Sequence, residues 1–404
     1  MTQNGTVIVV GGGAAGLAAA IAAAECGDRV IVLERMDRIG KKLLATGNGR
    51  CNLMNTARPR YRGGIAFAED VLGLCGAGEQ WQFWHDHGLA LREEEDGRVY
   101  PATGQASTVL DTLRFTLERL GVEIRTGVRV KGLDRNAQGW RVLTEHDSIP
   151  CGRVIVAGGG KAQPKLGSDG SGYALLAAQG HRLVQPRPAL TQIETDTSLI
   201  RGLTGIRVRA EVTVLRGDRP LHSEQGELLF ADYGVSGICA MQCARWAEPS
   251  SMLSVNLVPA AESVSSLTDD LRRRRLLWHD QPADRILCGL VLPRIADRVF
   301  EAADVAARGL CAAAIGDASL SRLAKTLTSF VLPVRGVRGF DSAQVTAGGI
   351  STEGFLPGTL ESRHAAGLHA AGEVLDVDGD CGGFNLMFAF GSGILAGRNG
   401  RSEG

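Results

Sequence analysis

The chain has no excess of charge of either sign. Lys plus Arg and Asp plus Glu both number 44 among its 404 residues. A long-range field that attracts polyanions requires an excess of one sign. We therefore expect no nucleic-acid partner and no attraction to an anionic membrane surface.

The sequence also shows no C-x-x-C pair and no apolar run of membrane length, and we expect no export signal. Its nine cysteines are an odd number and none forms a C-x-x-C pair, which is typical of a reducing compartment. The first strand signal begins at Thr6 without a basic and apolar leader before it, so we expect a cytoplasmic protein. The longest apolar run, Ala14 to Ala24, is shorter than the roughly 20 residues of a membrane span.

Metal ligands and a catalytic triad are also missing from the pattern. His85 and His87 have a spacing that metals can use, but no further ligand cluster accompanies them. We interpret both as surface histidines and predict no metal. No Ser, His and Asp arrangement can be placed, so the catalytic side chains stay unassigned.

Glycine, in contrast, is abundant, with 54 copies concentrated near residues 11–16, 47–49, 158–172, 348–354 and 372–397. The first cluster separates a β-branched run, Thr6 to Val10, from an Ala-rich stretch that ends near Cys26. A second apolar run, Arg29 to Leu33, follows. This order predicts a βαβ unit of a parallel sheet.

The turn of this unit contains Gly11-x-Gly13-x-x-Gly16, and Glu34 follows 18 residues after Gly16. In a dinucleotide site the first glycine permits the tight turn, the second lets backbone approach the pyrophosphate, and the third lets helix pack against strand. Glu34 is expected to accept the ribose hydroxyls and disfavours a 2′-phosphate. The cofactor predicted at this point is FAD or NAD.

Two further segments favour FAD. The stretch Arg38 to Asn52 could extend the pyrophosphate cradle and reach the flavin ring, although a solvated loop is the alternative. Near the C-terminus, glycines precede a helix whose N-terminus would stabilise negative charge at the flavin pyrimidine edge, although a tightly packed helix start is the alternative. The residues concerned are Thr46, Gly47, Asn48, Gly49, Arg50, Cys51 and Asn52 in the first segment, and Gly372, Glu373, Gly383, Phe384 and Asn385 in the second.

A second glycine-rich turn follows the buried run Arg153 to Ala157. It is not a second nucleotide site, because Gln163 stands where the third glycine belongs and Pro164 follows. We interpret Ala157, Gly158 and Gly159 as backbone that crosses near the first cofactor. The chain therefore lacks a recognisable separate NAD(P)H-binding domain.

The central part of the chain has a different texture. Ile206 to Leu215 alternates apolar and polar residues, which predicts a half-exposed antiparallel strand. Residues 262–326 are rich in Ala, Leu and Arg, which predicts a helical subdomain. We expect an FAD domain over 1–189 and 345–404, a β-rich domain over 190–261 and 327–344, and a helical subdomain over 262–326.

Taken together, the stretches GGGAAGLAAAIAAA, TGNGRCNLMN, VIVAGGG, TAGGIS and AGEVLDVDGDCGGFNLMFAFGSG resemble a family of bacterial flavoproteins. That family comprises aminoacetone-oxidase-type FAD-binding enzymes and relatives of a bile-acid-dehydroxylation reductase. The resemblance implies an α/β fold with a Rossmann-like FAD domain of the two-dinucleotide-binding type. It also implies an inserted antiparallel β-barrel-like domain that carries a helical subdomain.

The resemblance also implies site residues. Val130 resembles the residue that meets the adenine through its backbone. Gly372, Glu373, Gly383, Asn385 and Leu386 resemble the contacts at the flavin edge. The contacts of the ADP half are expected from Gly11, Gly13, Ala14, Ala15, Gly16, Glu34, Arg35 and Lys42.

We therefore predict an FAD-dependent oxidoreductase that is fed by NAD(P)H and reduces a small or steroid-like substrate. One alternative is an oxidase in which a small amine or aminoketone reduces the flavin and dioxygen reoxidises it. A second alternative is a non-catalytic flavin-binding regulatory protein or a partner of RNA-modification machinery. The sequence does not decide the oligomeric state.

Overall fold

The computed structural model describes residues 5–57, 60–137 and 139–399. No helix among these residues is long and apolar enough to cross a membrane. The strands are, in chain order, Thr6–Val10 (β1), Arg29–Glu34 (β2), Met54–Asn55 (β3), Tyr61–Gly63 (β4), Leu91–Glu93 (β5), Arg98–Pro101 (β6), Glu123–Thr126 (β7), Val130–Asn136 (β8), Gly139–Thr144 (β9), Ser148–Cys151 (β10), Arg153–Val156 (β11), Leu183–Ala189 (β12), Ile193–Thr195 (β13), Arg207–Arg216 (β14), Arg219–Ala231 (β15), Gly234–Ser236 (β16), Met252–Asn256 (β17), Phe330–Val337 (β18), Val345–Ile350 (β19), Leu368–Ala370 (β20) and Val377–Gly379 (β21).

Helices alternate with these strands, and the chain divides into two compact units, Met1–Pro188 with Ala343–Gly404 and Ala189–Ser342. The α-helices are Ala14–Glu25 (α1), Lys41–Ala45 (α2), Ile65–Leu74 (α3), Ala77–Asp86 (α4), Ala106–Arg119 (α5), Ser171–Ala177 (α6), Ile238–Cys243 (α7), Val264–Leu277 (α8), Pro293–Ala302 (α9), Asp317–Thr328 (α10) and Phe384–Arg398 (α11).

The first unit is built on a five-stranded parallel sheet with the strand order β20-β11-β1-β2-β7. The central strands β1, β2 and β11 are runs of Val, Ile and Leu that are almost entirely buried. Such continuous apolar runs are typical of a parallel sheet covered on both faces. The predicted Rossmann-like fold is confirmed.

Two helices of this unit pack backbone against backbone. A Cβ atom added at Gly393 of α11 would overlap the carbonyl oxygen of Ala15, and one added at Gly397 would overlap that of Ala19. Small residues four apart on both helices therefore permit the close approach. This contact joins the first helix of the chain to the last, so both chain segments are required for the unit.

Smaller antiparallel sheets complete the unit. The strands β8, β9 and β10 form an antiparallel meander that follows the parallel strand β7. The sheets β3-β6-β5 and β21-β4 and the helices α3 and α4 occupy residues 54–101 and 377–379. The sequence did not indicate these short strands, because runs of two to four residues carry no readable periodicity.

The second unit contains a closed antiparallel barrel with the strand order β13-β16-β15-β14-β17-β18. Along β14, Ala210, Val212 and Val214 are buried and alternate with more exposed residues, as the sequence pattern predicts. The helices α8, α9 and α10 lie in the chain between β17 and β18. The predicted β-barrel-like domain, with a helical segment inserted between two of its strands, is confirmed.

The four arginines 272–275 of α8 form ion pairs with aspartates of α8 and α10. Arg272 and Arg275 pair with Asp317, and Arg273 and Arg274 pair with Asp270. Each of the four arginines therefore has an aspartate partner, which offsets part of the positive charge of the run.

Two histidines of the first unit are buried. His369 on β20 is fully buried and its Nδ1 lies 2.9 Å from the carbonyl oxygen of Thr359. His181 stacks on Phe355 at 4.2 Å and its Nε2 lies 2.8 Å from Ser362 Oγ. Burial lowers the pKa of both histidines to about 4.

We expect stability to fall as the pH drops from about 6.5 towards 4. In that interval the unfolded chain, with histidine pKa values near 6.5, binds protons that the folded chain does not, which costs about 2 kcal/mol per histidine at pH 5. Denaturant titrations at pH 7 and pH 5 measure the difference. The variant His369→Asn, whose amide can still face Thr359, should show a shallower pH dependence, and an unchanged dependence would contradict the assignment.

Candidate functional site

The carboxyl ends of the parallel strands bring the predicted cofactor residues to one edge of the sheet. β1 ends at the glycine turn, β2 ends at Glu34, β11 leads into Ala157, and β20 leads into Gly372. Along the chain the sheet grows from β1 to β2 and β7 on one side, and later adds β11 and β20 on the other side of β1, so the topological switch point lies between β1 and β11. Open α/β sheets bind their ligands at this position.

The glycine turn between β1 and α1 is tightly packed at two of its positions. Gly11 has φ of +112°, and a Cβ atom there would lie 2.5 Å from the carbonyl oxygen of Ala157. At Gly16 a Cβ atom would overlap the carbonyl oxygen of Gly11. The protein itself therefore requires glycine at both positions.

Gly13 differs from its neighbours because no protein atom requires it to be glycine. Its φ of −91° suits any residue, and a Cβ atom added there would meet no atom within 4 Å. It caps the N-terminus of α1, whose first N–H groups have no partner within the helix. An open, positively polarised concavity of this kind fits the pyrophosphate of a dinucleotide.

The carboxylate of Glu34 is held in place by backbone donors. Its Oε2 accepts from the N–H of Gly12 at 2.7 Å, and its Oε1 accepts from the N–H of Met36 at 2.7 Å. The side chain is buried at the end of β2. Each carboxylate oxygen retains a lone pair for one ribose hydroxyl.

Val130, predicted near the adenine, begins β8 beside the end of β2. The N–H of Val128 donates to the carbonyl oxygen of Glu34 at 2.9 Å, and the N–H of Gly127 donates to that of Met36 at 2.8 Å. Val130 is buried. The structure thus bonds the segment just before the predicted adenine residue to the predicted ribose residue.

Arg35 and Lys42, both predicted for the ADP half, are engaged by other parts of the chain. The Arg35 guanidinium donates to the carbonyl oxygens of Gly167 and Pro164. Lys42 Nζ lies 2.7 Å from Oε2 of Glu373, which was predicted at the flavin edge. The ion pair shows that Lys42 and Glu373 occupy one place in the site.

The segment Thr46–Asn52 is folded by a series of left-handed residues. Gly47, Asn48, Gly49 and Cys51 all have positive φ values between 55° and 82°. Asn adopts this conformation readily, but the side chain of Cys51 disfavours it, and such strain concentrates at ligand sites. Successive N–H groups in this geometry form a concavity suited to an anion.

The side chains of this segment are anchored differently from one another. Arg50 forms an ion pair with Glu94 at 2.6 Å and lies over the Tyr100 ring at 4.1 Å. Burial raises the pKa of the Cys51 thiol to about 12, so Cys51 packs rather than reacts. Asn52 Oδ1 is buried without a hydrogen-bond partner among the described residues.

The third predicted segment, Ala157 to Gly159, touches the glycine turn. The N–H of Ala157 donates to the carbonyl oxygen of Val10 at 2.8 Å, and Gly159 has φ of +73°. An added Cβ atom at Gly158 would lie 3.6 Å from Cα of Gly172. The backbone thus passes beside the first glycine turn, as we interpret it from the sequence.

The C-terminal residues reach the site through β20 and α11. Gly372 has φ of +75°, and a Cβ atom there would lie 2.7 Å from that of Ala15. Gly383, with φ of +104°, caps the N-terminus of α11, a helix of 15 residues. The helix begins with Phe384, which is buried, and continues through Asn385 and the partly buried Leu386.

Asn385, predicted to contact the flavin, holds a turn of the chain with its amide. Its Oδ1 accepts from the N–H of Gly379 and its Nδ2 donates to the carbonyl oxygen of Gly379, both at 2.8 Å. The side chain thereby connects β21 to the start of α11. Asn385 thus positions the segment on which Gly382 and Gly383 lie.

Sequence reasoning did not find several polar residues of this edge. Thr346 bonds to Glu373 through its N–H, Asp169 pairs with Arg35, and Glu94 pairs with Arg50. The sequence signal available for Asp169 was its place in the glycine-rich stretch 158–172. Thr346 and Glu94 carry no local motif.

The described residues contain no group of three or more His, Cys, Asp or Glu side chains placed to hold a metal ion. His85 is exposed, but the interpretation of His87 as a surface residue is wrong. Its side chain is 5% exposed, and it bonds to Glu25 and to the carbonyl oxygen of Phe83. His87 connects α4 to α1.

The predicted cofactor residues thus lie along one sheet edge, and comparison with known proteins places the chain in a family. Residues 5–399 match the family described as the HI0933-like protein Rossmann domain. The chain belongs to this family. The predicted resemblance to a family of bacterial FAD-binding flavoproteins is confirmed.

The curated relatives align along nearly their whole length. A 3-dehydro-bile acid delta(4,6)-reductase from Clostridium scindens is 38% identical over 96% of this chain and 97% of its own. Ribosomal RNA dihydrouridine synthases from Escherichia coli and Haemophilus influenzae are 27% and 28% identical, over 95% and 97% of this chain and the same shares of their own. The prediction of an FAD-dependent oxidoreductase is confirmed at the level of enzyme class.

Solved structures resemble the chain more distantly. A 3-ketosteroid-delta4-(5alpha)-dehydrogenase from Rhodococcus jostii RHA1 has a TM-score of 0.47 and 18% identity, over 98% of this chain and 96% of its own. A likeness of this size does not bear on function.

Proposed function

We propose that this protein is an FAD-dependent reductase that takes electrons from NADH or NADPH and saturates a carbon–carbon double bond conjugated with a carbonyl group in a steroid-like molecule. The single observation that carries the proposal is the 38% identity to the Clostridium scindens reductase over 96% of this chain. The name of that relative specifies a 3-oxo compound with double bonds at positions 4 and 6.

A conjugated carbonyl makes such a reaction suited to a site without a strong acid or base. The carbonyl withdraws electrons from the double bond, so the carbon of that bond farther from the carbonyl accepts a hydride. The enolate that results takes a proton from water at the carbon next to the carbonyl, which completes the saturation. Bound FAD supplies the two-electron chemistry, and the protein supplies position and charge. This division of labour agrees with the absence of a predicted catalytic side chain.

The residues that would hold FAD each have a defined task. The N–H groups at the start of α1 would bind the pyrophosphate in the open space at Gly13. Glu34 would bind the ribose through its two remaining lone pairs. The N-terminus of α11 at Gly383 would stabilise negative charge on the pyrimidine side of the flavin.

Ribosomal RNA is a second candidate substrate, because two relatives at 27% and 28% identity are ribosomal RNA dihydrouridine synthases. Dihydrouridine arises by saturation of a double bond that is conjugated with a uracil carbonyl, which is the same class of reaction. RNA binding, however, depends on basic side chains that neutralise phosphates. Acidic and basic side chains are equally numerous in this chain, and the arginines of α8 are paired with aspartates.

The nine cysteines are free thiols, which agrees with the predicted cytoplasmic location. NAD(P)H is a soluble two-electron donor of that compartment. In the absence of a separate nicotinamide domain we expect the donor to bind only transiently. A transient complex would leave the same face of the flavin accessible to the substrate.

The proposal is tested with the FAD-loaded protein under anaerobic conditions. We expect NADH or NADPH to bleach the long-wavelength flavin band, and a 3-oxo-4,6-diene bile acid to restore it. The saturated 3-oxo bile acid is the matched control and should not restore the band. Recovery with a uridine-containing ribosomal RNA fragment but not with the diene would overturn the steroid assignment in favour of RNA.

The oxidase alternative has a distinct signature in the same experiment. A flavin that neither nicotinamide reduces, but that a small amine reduces and air reoxidises, would contradict the reductase. A flavin that responds to no donor would instead favour a non-catalytic flavin-binding protein.

A further inference from the structure

A loop between β11 and α6 runs along the predicted cofactor site. Residues 161–169 leave and return at nearly the same point, because the N–H of Gly170 donates to the carbonyl oxygen of Gly160 at 2.9 Å. Compact loops with adjacent ends form Ω-loops, which often have functional roles. We call residues 161–169 the cofactor strap.

The second half of the cofactor strap, from Pro164 to Asp169, is bonded to Arg35, the residue that follows the predicted ribose residue. Arg35, which follows Glu34, donates from Nε to the carbonyl oxygen of Gly167 at 3.1 Å and from Nη2 to that of Pro164 at 3.2 Å. Its Nη1 lies 3.1 Å from Oδ2 of Asp169.

Asp169 also connects the strap to the segment before β8. Its Oδ2 lies 3.3 Å from Nη1 of Arg129, and its Oδ1 accepts from the N–H of Ser171 at 3.0 Å. Burial opposes ionisation of this carboxyl, but the bonds to Ser171 and the charges of Arg35 and Arg129 hold its pKa below the usual value. Asp169 therefore bears its charge at neutral pH.

The start of the cofactor strap, Lys161 and Ala162, is connected through Thr346 to Glu373, which is predicted at the flavin. Thr346 Oγ1 accepts from the N–H groups of Lys161 and Ala162 at 2.8 Å and 2.9 Å. The N–H of Thr346 donates to Oε1 of Glu373 at 2.7 Å, and Oε2 of Glu373 pairs with Lys42. One loop is thus bonded to both ends of the predicted dinucleotide site.

We propose that the cofactor strap retains FAD and that Asp169 and Thr346 are positioning residues, which hold the strap at the ADP end and at the flavin end. This inference rests on the FAD binding of the proposed function. Neither residue has to touch FAD. Each fixes a segment that would otherwise move and open the site for release of the cofactor.

The pair of variants Asp169→Asn and Glu123→Gln tests the proposal. Glu123 also lies between two arginines, Arg29 and Arg125, but at the opposite end of strand β7 from the site. FAD release is followed by ultrafiltration after dilution of the loaded proteins. Because hydrogen bonds to charged groups contribute about 1.5–3 kcal/mol, we expect Asp169→Asn to release FAD about ten- to a hundredfold faster. Glu123→Gln should match the wild type.

A second pair keeps the test valid if Asp169→Asn does not fold. Thr346→Val preserves the shape of the side chain and removes the acceptor for Lys161 and Ala162, whereas Thr346→Ser keeps it. We expect faster FAD release from Thr346→Val and recovery of the slow rate in Thr346→Ser. The flavin absorption spectrum and the unfolding midpoint of the apoprotein should stay close to those of the wild type.

The outcomes separate the strap from the proposed function. If Asp169→Asn and Thr346→Val both release FAD at the wild-type rate, the strap proposal is overturned while the reductase assignment stands. If the wild-type apoprotein does not take up FAD at all, both fail. Faster release with an unchanged apoprotein midpoint and rescue by serine supports the strap, whereas equal loss of apoprotein stability without rescue assigns the two residues to folding alone.

Discussion

Replacement of Gly16 by alanine is expected to prevent the first unit from folding. The added Cβ atom would overlap the carbonyl oxygen of Gly11, and Val9 closes the remaining space on the strand side. Both are parts of the tightly packed β1-α1 turn, so the overlap cannot be relieved by rotation of a flexible side chain. We expect a loss of more than about 4 kcal/mol, measured by denaturant titration or as insoluble protein.

Replacement of Gly13 by alanine, three residues before Gly16, is expected to leave the fold intact and to abolish tight FAD binding. At Gly13 the new Cβ atom meets no protein atom within 4 Å. Alanine at this helix cap should cost no more than about 1 kcal/mol of stability. The atom would occupy the space predicted for the pyrophosphate, so we expect FAD affinity to fall about a hundredfold, which is about 2.7 kcal/mol.

The two glycines are matched controls for each other, because the substitution and the turn are the same. Stability is measured on the apoprotein, and FAD affinity by titration of the apoprotein with FAD. Normal FAD affinity in Gly13→Ala would show that the turn does not bind the pyrophosphate. A stable Gly16→Ala protein would show that the turn can rearrange.

The fold of the first unit was predictable where the chemistry is local. The βαβ unit follows from the run Thr6 to Val10, the glycine turn and the run Arg29 to Leu33, since strand, turn and helix are each encoded by neighbouring residues. Strand β7, only four residues long, lies at the edge of the parallel sheet beside β2. The strands within residues 54–101 were not predicted because each is too short to show a period.

The main-chain turns of the candidate site could be predicted from the sequence. Its contacts between side chains that lie far apart in the sequence could not. Lys42 and Glu373 are 331 residues apart, and Arg35 and Asp169 are 134 residues apart, so no sequence spacing indicates either pair. Ion pairs of this kind depend on the order of the strands in the sheet, because that order decides which segments of the chain become neighbours. The sequence therefore predicted Lys42 and Glu373 separately, at opposite ends of the cofactor.

The role of Asn385 illustrates the same limit from another side. A polar residue at the start of a helix can contact a ligand or hydrogen-bond to nearby backbone, and the sequence favours neither role. The structure shows that its amide is already bonded to the N–H and the carbonyl oxygen of Gly379. Only the surrounding backbone distinguishes the two roles.

Loss of the Glu34 carboxylate is expected to be the most damaging change of a single polar side chain for FAD binding. Its two oxygens accept from Gly12 and Met36 and would each accept one ribose hydroxyl. Glu34→Ala leaves two N–H groups without their acceptor and removes both ribose contacts. Hydrogen bonds to a charged group contribute about 1.5–3 kcal/mol each, so we expect FAD affinity to fall at least about a hundredfold.

Conservative variants separate the charge of Glu34 from its shape. Glu34→Gln keeps the volume and one acceptor oxygen, so we expect intermediate affinity. Glu118→Gln, on the exposed side of α5, is the control and should bind FAD normally. Flavin content after purification and titration of the apoprotein measure the series.

Since Glu34 also orders the loop after β2 through Met36, Glu34→Ala should destabilise the apoprotein as well, whereas Gly13→Ala should not. Equal flavin content in Glu34→Ala and the wild type would refute the ribose assignment and, with it, the orientation of FAD along this edge.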